Sequence, residues 1–369
     1  MGKNLKEVAL LFFKLGSIAF GGPAAHIAMM EDEVVKKRKW MTHQHFLDLV
    51  GATNLIPGPN STEMTMHCGH ERAGWKGLIV AGACFVFPAV VITMVFAWLY
   101  QQYGQLPKVE PFIYGIKPAV IAIILGAVYR LGKKALKNVE LGILGALTLT
   151  ACLLGVHEIV ALFACGFLGV VWYFIRNSKN NLNSFTPLIL LQVTASASTL
   201  KILWIFFKVG ALLYGSGYVL FAYLDAELVS TGLLTRQELI DAVAVGQFTP
   251  GPVLSTATFI GWQLGGFSGA MAATLGIFLP SFIFVAILNP LIPKMRKLKS
   301  IAAFLDAVNM AAVAVIVAVC VEMGKDTLTD WRTILIAVLS LIAVFVFKKM
   351  NSAFIVIGGA LAGYLLTWM

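Results

Sequence analysis

Two stretches of the chain carry the same break. Pro57-Gly58-Pro59 is followed by Asn60, Ser61 and Thr62, and Pro250-Gly251-Pro252 is followed by Ser255 and Thr256. Proline removes a backbone donor and cannot continue a preceding helix. Glycine gives the chain freedom to turn, and Asn, Ser and Thr offer N-cap chemistry for a new helix. The first amides of such a helix lack an intrahelical acceptor and carry the positive end of its dipole. That end binds oxyanions, and two opposed ends would hold a dianion between them. The alternative is that each Pro-Gly-Pro only turns a hairpin and binds nothing.

Other residues recur in the same pattern. Gly21-Gly22-Pro23 has Gly215-Ser216-Gly217 as its counterpart, reading either as close backbone approach to a substrate or as helix packing through small residues. Lys14 and Lys208 occupy matched apolar runs and would neutralise an anion nearby or snorkel to the helix end. Asp48 and Asp241 match on the short helices before each Pro-Gly-Pro. A carboxylate repels an anion, so these two would pair with a lysine, carry a coupled proton, or face the rim. Lys117, matched by Asn309, is placed at the outer mouth. Glu31, Glu33, Asp225 and Glu227 read as solvated loop charges, and Asp306 stays unassigned.

Metal and cofactor chemistry is not expected. His67-Cys68-Gly69-His70 has no third and fourth ligand in view and no counterpart in the second half. The five cysteines form no CxxC pair and read as small buried apolar groups. There is no phosphate-binding GxxxxGK[ST] loop and no catalytic triad, so the chain reads as no enzyme, and any transport as secondary.

These residues sit in a chain that is 59% hydrophobic and 12% charged, with mean hydropathy +0.84. Soluble domains carry about 25% charged residues, so this is an all-α polytopic membrane protein whose solvent is the lipid bilayer. The first apolar run carries Lys14 and lacks a small-residue cleavage site, so no removable signal peptide is expected. The net charge of +10 is first a statement about topology, not a sign of nucleic acid.

The chain also repeats itself. LFFKLGSIAFGGP (11–23) aligns with IFFKVGALLYGSG (205–217), MTHQHFLDLVGATNLIPGP (41–59) with LTRQELIDAVAVGQFTPGP (234–252), and FVFPAVVI (85–92) with IFLPSFIF (277–284). A steady offset over that length means two copies of one unit: residues 1–178, a polar linker over 179–200, and residues 201–369. Expected spans are 8–29, 77–100, 112–130, 139–156 and 158–175, then 203–222, 270–290, 302–322, 333–347 and 353–368. The apolar stretch before each Pro-Gly-Pro is too short to cross, so each is expected as a re-entrant hairpin. Five crossings per unit invert the second unit. Most of the 28 basic residues, Lys36 to Lys39, Arg72, Lys76, Arg130, Arg176 and Lys201 among them, then share a cytoplasmic face. The amino terminus, with Lys3 and Lys6, falls on the other side. The alternative, crossing Pro-Gly-Pro segments with parallel units, would put oppositely charged loops on one side.

FGGP at 20–23, the two Pro-Gly-Pro motifs and the two-unit plan resemble the chromate ion transporter family, in its long two-domain form, over nearly the whole chain. The resemblance implies export of chromate from the cytoplasm, sulfate as a competing or exchanged anion, and chromate resistance. It places the chain as a multi-pass protein of a bacterial or archaeal cell (inner) membrane; a homodimer is compatible with it. Tyr214-Gly215-Ser216-Gly217 replaces FGGP in the second unit, so the halves need not contribute equally. An oxyanion importer, an anion channel and a membrane-embedded enzyme are the competing readings.

Overall fold

Backbone groups in a bilayer must be satisfied within the chain, which restricts apolar segments to helices or closed barrels. The computed structural model describes residues 2–20, 22–53, 56–104, 106, 109–176, 199–214, 217–288, 299–347 and 350–367, and these hold helices and no strand. Gly21, Gly215, Ser216 and the linker up to residue 198 lie outside the described residues, as do Lys108, Lys294, Arg296, Lys297, Lys348 and Lys349.

The first unit contains α1 (Lys3–Ile18), α2 (Pro23–Glu31, continued by a π-helical turn over Asp32–Lys37), α3 (His43–Thr53), α4 (Asn60–Tyr103), α5 (Glu110–Ala135), α6 (Val139–Leu153) and α7 (Glu158–Arg176). The second contains α8 (Thr199–Leu212), α9 (Val219–Leu224, continued by Asp225–Val229), α10 (Arg236–Phe248), α11 (Thr256–Leu288), α12 (Lys299–Thr327), α13 (Trp331–Val346) and α14 (Ser352–Thr367). Helices α4, α5, α7, α11 and α12 are long and apolar enough to cross a membrane, and α6, α13 and α14 are shorter apolar helices. On α4 the side chains of Ile79, Phe87, Val91, Val95 and Trp98 form an exposed apolar stripe, which suits contact with lipid rather than water.

Each Pro-Gly-Pro is the tip of a re-entrant hairpin. Helix α3 enters, and residues 60–72 of α4 return beside it, with His45 on α3 3.3 Å from Glu71. Ala73 and Gly74 then leave helical geometry, and Gly74 has φ 61°. The chain doubles back so that Gly69 meets Gly77 backbone to backbone. The second unit repeats this at Gly265-Gly266, with Gly261 against Gly269. A side chain at either contact would part the helices.

The first apolar run of each unit departs from the expected single span. Residues 8–29 and 203–222 are each two short helices folded back at the Gly-rich break. Glu7 near the start of α1 accepts hydrogen bonds from Arg72, the nearer at 2.8 Å, and lies 3.7 Å from Arg38, beyond the far end of α2. Lys14 meets Glu33, and Phe12 packs edge-on against Trp40. Helix α1 therefore begins and α2 ends at the same end of the bundle, which brings Lys3 and Lys6 to the basic end with Arg38 and Arg72. The physical reason is the break itself: Gly22 adopts φ 80° ahead of Pro23, which starts a new helix. Among the described residues the apolar helices left outside these folded-back pairs are α4 to α7 in the first unit and α11 to α14 in the second.

The units are inverted. Helices α5 and α12 are equivalent, yet Tyr114 near the start of α5 donates to Asp330 just after α12, while Lys137 just after α5 meets Asp306 near the start of α12 at 2.7 Å. Equivalent helices thus run in opposite directions. Trp262, near the second unit's hairpin turn, donates to Gln101 at the far end of α4. Ile202 at the start of α8 lies against Gly265 and Gly269, so Lys201 stands at the end opposite Arg72, not on the basic face.

Replacing Gly77 by leucine drives a side chain into the Gly69 carbonyl and is expected to destabilise the detergent-solubilised protein by about 1–3 kcal/mol. Gly324→Ala, where an added Cβ meets nothing within 4 Å, is expected to stay within about 0.5 kcal/mol of the parent. Thermal unfolding of the three proteins side by side is the measurement.

Candidate functional site

The Pro-Gly-Pro break of each unit is built around a glycine with left-handed backbone: Gly58 has φ 144° and Gly251 φ 92°. Proline on both sides fixes the neighbouring φ angles, so the reversal falls on the glycine. Each of these glycines reaches across to the other unit. The Gly58 amide donates to the Leu213 carbonyl at 2.6 Å, and the Gly251 amide donates to the Ala19 carbonyl at 2.8 Å. Leu213 and Ala19 are the residues at which α8 and α1 break off. Four interrupted helices, two from each unit, are thereby tied at one depth.

A cavity of about 10 Å³ lies where they meet. Its wall takes Pro23 and His26 from the first break, Pro59 and Ser61 from the first Pro-Gly-Pro, Gly217 and Tyr218 from the break after α8, and Pro252, Val253 and Leu254 from the second Pro-Gly-Pro. This space is about that of one water, so an oxyanion enters only when the segments part. Helix α4 starts directly after Pro59, and no side chain caps it. Asn60, Ser61 and Thr62 are therefore the first residues of the helix rather than its caps. The amides of Thr62 and Glu63 turn back to the Pro59 carbonyl. The positive helix end meets the cavity through Pro59 and Ser61, beside the Ser61 hydroxyl.

The second unit is not the mirror of this. Pro252 leads into a 3-10 turn over Val253–Ser255 before α11 begins, again without a side-chain cap. Val253 and Leu254 face the cavity, while the Thr256 hydroxyl donates back to the Val253 carbonyl at 2.8 Å and Ser255 is buried away from the wall.

The paired charges are placed apart from the cavity wall. Lys14 stands 3.7 Å from Glu33, and Lys208 meets Glu227 at 2.5 Å. Glu33 and Asp225 are buried rather than solvated, Glu33 against Lys37 and Arg38 and Asp225 against Arg236. Glu33 closes the α1–α2 hairpin through Lys14, Glu227 closes the α8–α9 hairpin through Lys208, and Asp225 ties that hairpin to α10, tertiary roles that a loop reading misses. Asp241 is buried, accepts from Tyr100 at 2.6 Å and lies 3.6 Å from Lys117. Its counterpart Asp48 is partly exposed on α3 and accepts from Gln44. The difference follows from packing. Helix α10 is buried against α5, α11 and α14, whereas α3 packs on α2 and α4 of its own unit and leaves Leu47 45% exposed.

Three polar groups near the breaks escape a reading by repeats. His26 is buried in the cavity wall, with Nε2 3.1 Å from the Ala19 carbonyl and Nδ1 without a partner. Bonding to a carbonyl requires the proton on Nε2, which leaves Nδ1 as the open position. Tyr218 brings its ring from the second unit. Glu63 is fully buried in the first turn of α4. His26 and Glu63 align with Leu220 and Thr256 at the repeat offset, so no recurrence marks them. Among the described residues no group of three or more His, Cys, Asp or Glu is arranged to hold a metal ion.

A family model described as chromate transporter matches residues 6–170 and again residues 200–364. The chain is 32% identical to a chromate transport protein of Cupriavidus metallidurans, over 98% of this chain and 92% of that protein. It is 31% identical to a probable chromate transport protein of Synechococcus elongatus, over 98% and 95%. An uncharacterized transporter of Methanocaldococcus jannaschii is 26% identical over 98% and 94%. No solved structure matches.

Lys117→Met removes the cation facing buried Asp241 and is expected to cost about 3 kcal/mol, with part recovered in Lys117→Met/Asp241→Asn. Lys14→Met removes an exposed lysine and leaves Glu33 with Lys37 and Arg38, and is expected to cost at most about 1 kcal/mol. Chemical denaturation in detergent reads both.

Proposed function

The chain belongs to the chromate transporter family, and we propose that it is a secondary transporter of tetrahedral oxyanions that exports chromate from the cytoplasm, with sulfate as competing or exchanged anion. The observation that carries this reading is the convergence of four helix breaks from two inverted units on one cavity. Inverted repeats with interrupted helices, and substrate at the repeat interface, are the plan of secondary transporters.

The ligands assigned are backbone and hydroxyl groups. Uncapped amides at the start of α4 and the Ser61 hydroxyl face the dianion from one side, and the Gly22-Pro23 and Pro252-Val253 segments from the others. Such donors recognise a tetrahedral dianion by charge and size, which is why chromate and sulfate compete. Lys14 and Lys208, each held by a glutamate, set the field at the two hairpins rather than touching the anion. Asp241 and Asp48 sit midway along the short helices, Asp241 held by Lys117 and Tyr100 and Asp48 accepting from Gln44, rather than touching the anion.

The basic end supports export as the direction. Lysine and arginine concentrate where Arg38, Arg72 and Lys137 lie, the cytoplasmic side by the positive-inside rule. That side gathers anions at the inner mouth, which suits export and a resistance role in a bacterial or archaeal cell membrane. A cavity closed to about one water supports a carrier over an open channel.

In proteoliposomes, radiolabelled chromate and sulfate uptake is expected to saturate and to rise with anion on the far side. Pro57→Ala/Pro59→Ala, which lets α3 run on into α4, is expected to lower that flux at least about tenfold, the loss of one charge-assisted contact or more. Unchanged flux in that variant would mean the breaks are turns only.

A further inference from the structure

Glu63 is a carboxyl group with no visible reason to be where it is. It is fully buried, and neither side-chain oxygen has a hydrogen-bond partner. Its Oε1 and the Ser281 hydroxyl both crowd the position that a Cβ on Gly58 would take. Ser281 comes from α11 of the other unit, is also fully buried, and also lacks a partner. Unsatisfied oxygens of Glu63 and Ser281 thus share the space over the Gly58 α-carbon, and Glu63 is two residues along the chain from Ser61 in the cavity wall.

No cation answers Glu63 among the described residues. Tyr214 follows Leu213, whose carbonyl accepts from the Gly58 amide, and so stands on the same side of the break. His26 on α2 lines the cavity, and His67 lies one turn along α4. The charged groups of α1, α2 and α3 are engaged with one another toward the basic end: Lys14 with Glu33, Glu7 with Arg72 and Arg38, His45 with Glu71. A carboxyl at membrane depth must be paired or carry a proton. A protonated carboxyl is both donor and acceptor, and the Ser281 hydroxyl is the acceptor beside it.

We propose that Glu63 is a proton-binding site coupled to the anion cavity, so that one proton and one dianion are bound together. An ionised Glu63 places its negative charge in the first turn of α4, in the same helix-end field that draws the anion. Protonation releases that field to the dianion, and by linkage the dianion tightens proton binding. The site exists once per chain, because Thr256 stands at the equivalent position and bonds its own turn. This inference rests on the anion-carrier reading above.

The test uses the full chain in detergent, with sulfate as the probe. Infrared spectra are expected to show the C=O stretch of a protonated carboxyl that disappears in Glu63→Gln and moves, without vanishing, in Ser281→Ala. Sulfate affinity by calorimetry is expected to fall as pH rises through that titration, by up to about tenfold per pH unit for one coupled proton, and to lose this slope in Glu63→Gln. Absence of the band in the parent would overturn the proposal whatever the transport result. A band that sulfate leaves unmoved, with sulfate affinity flat in pH, would overturn the coupling while the carrier reading stands. A parent that neither binds nor moves sulfate or chromate would sink the carrier reading and the coupling with it.

Discussion

The fold depends on two hydrogen bonds that are copies of one another. Gly58 donates to Leu213, and Gly251 donates to Ala19. Each joins the tip of one unit's hairpin to the frayed end of a helix in the other. An interrupted helix at membrane depth leaves carbonyls and amides without water to satisfy them, at several kcal/mol each. Crossing the bonds between units solves this for both at once. Neither unit completes its breaks alone, so the two copies must assemble inverted about a shared centre.

That centre is symmetric in its two crossed hydrogen bonds and unequal in its side chains and in the turn after each Pro-Gly-Pro. The first unit brings Ser61, His26 and Glu63, and the second brings Tyr218, Val253, Leu254 and Ser281. Among the described residues no lysine or arginine lines the cavity. Positive potential there comes from helix ends, which hold an anion without the tight grip of a fixed cation. For a proposed carrier that is a useful limit, since a substrate held too firmly is not released.

Much of this was legible in the sequence, and what was not has a common cause. The repeat, the Pro-Gly-Pro tips and the inversion follow from a fixed offset and from loops that exchange charge. The runs 8–29 and 203–222 read as spans because apolar length dominates composition, whereas the fold back at Gly22-Pro23 is held by tertiary pairs such as Glu7 with Arg72. The same pairs turned Glu33 and Asp225 from loop charges into buried partners, and Lys201 changed ends because α8 starts against Gly265. Ser255 and Thr256 looked like caps by analogy with the first unit, but a 3-10 turn intervenes. His26 and Glu63 have no counterparts, and a search for recurrence is blind to residues that occur once.

The unequal burial of α3 and α10 has a mechanical meaning. Two inverted copies can exchange conformations, which opens one end while closing the other. Here the α10 end is fastened by Asp241 with Lys117 and Tyr100. At the α3 end, the residue equivalent to Lys117 is Asn309, an uncharged amide. The two ends are thus unequal by a single lysine, present in one half and replaced by an asparagine in the other.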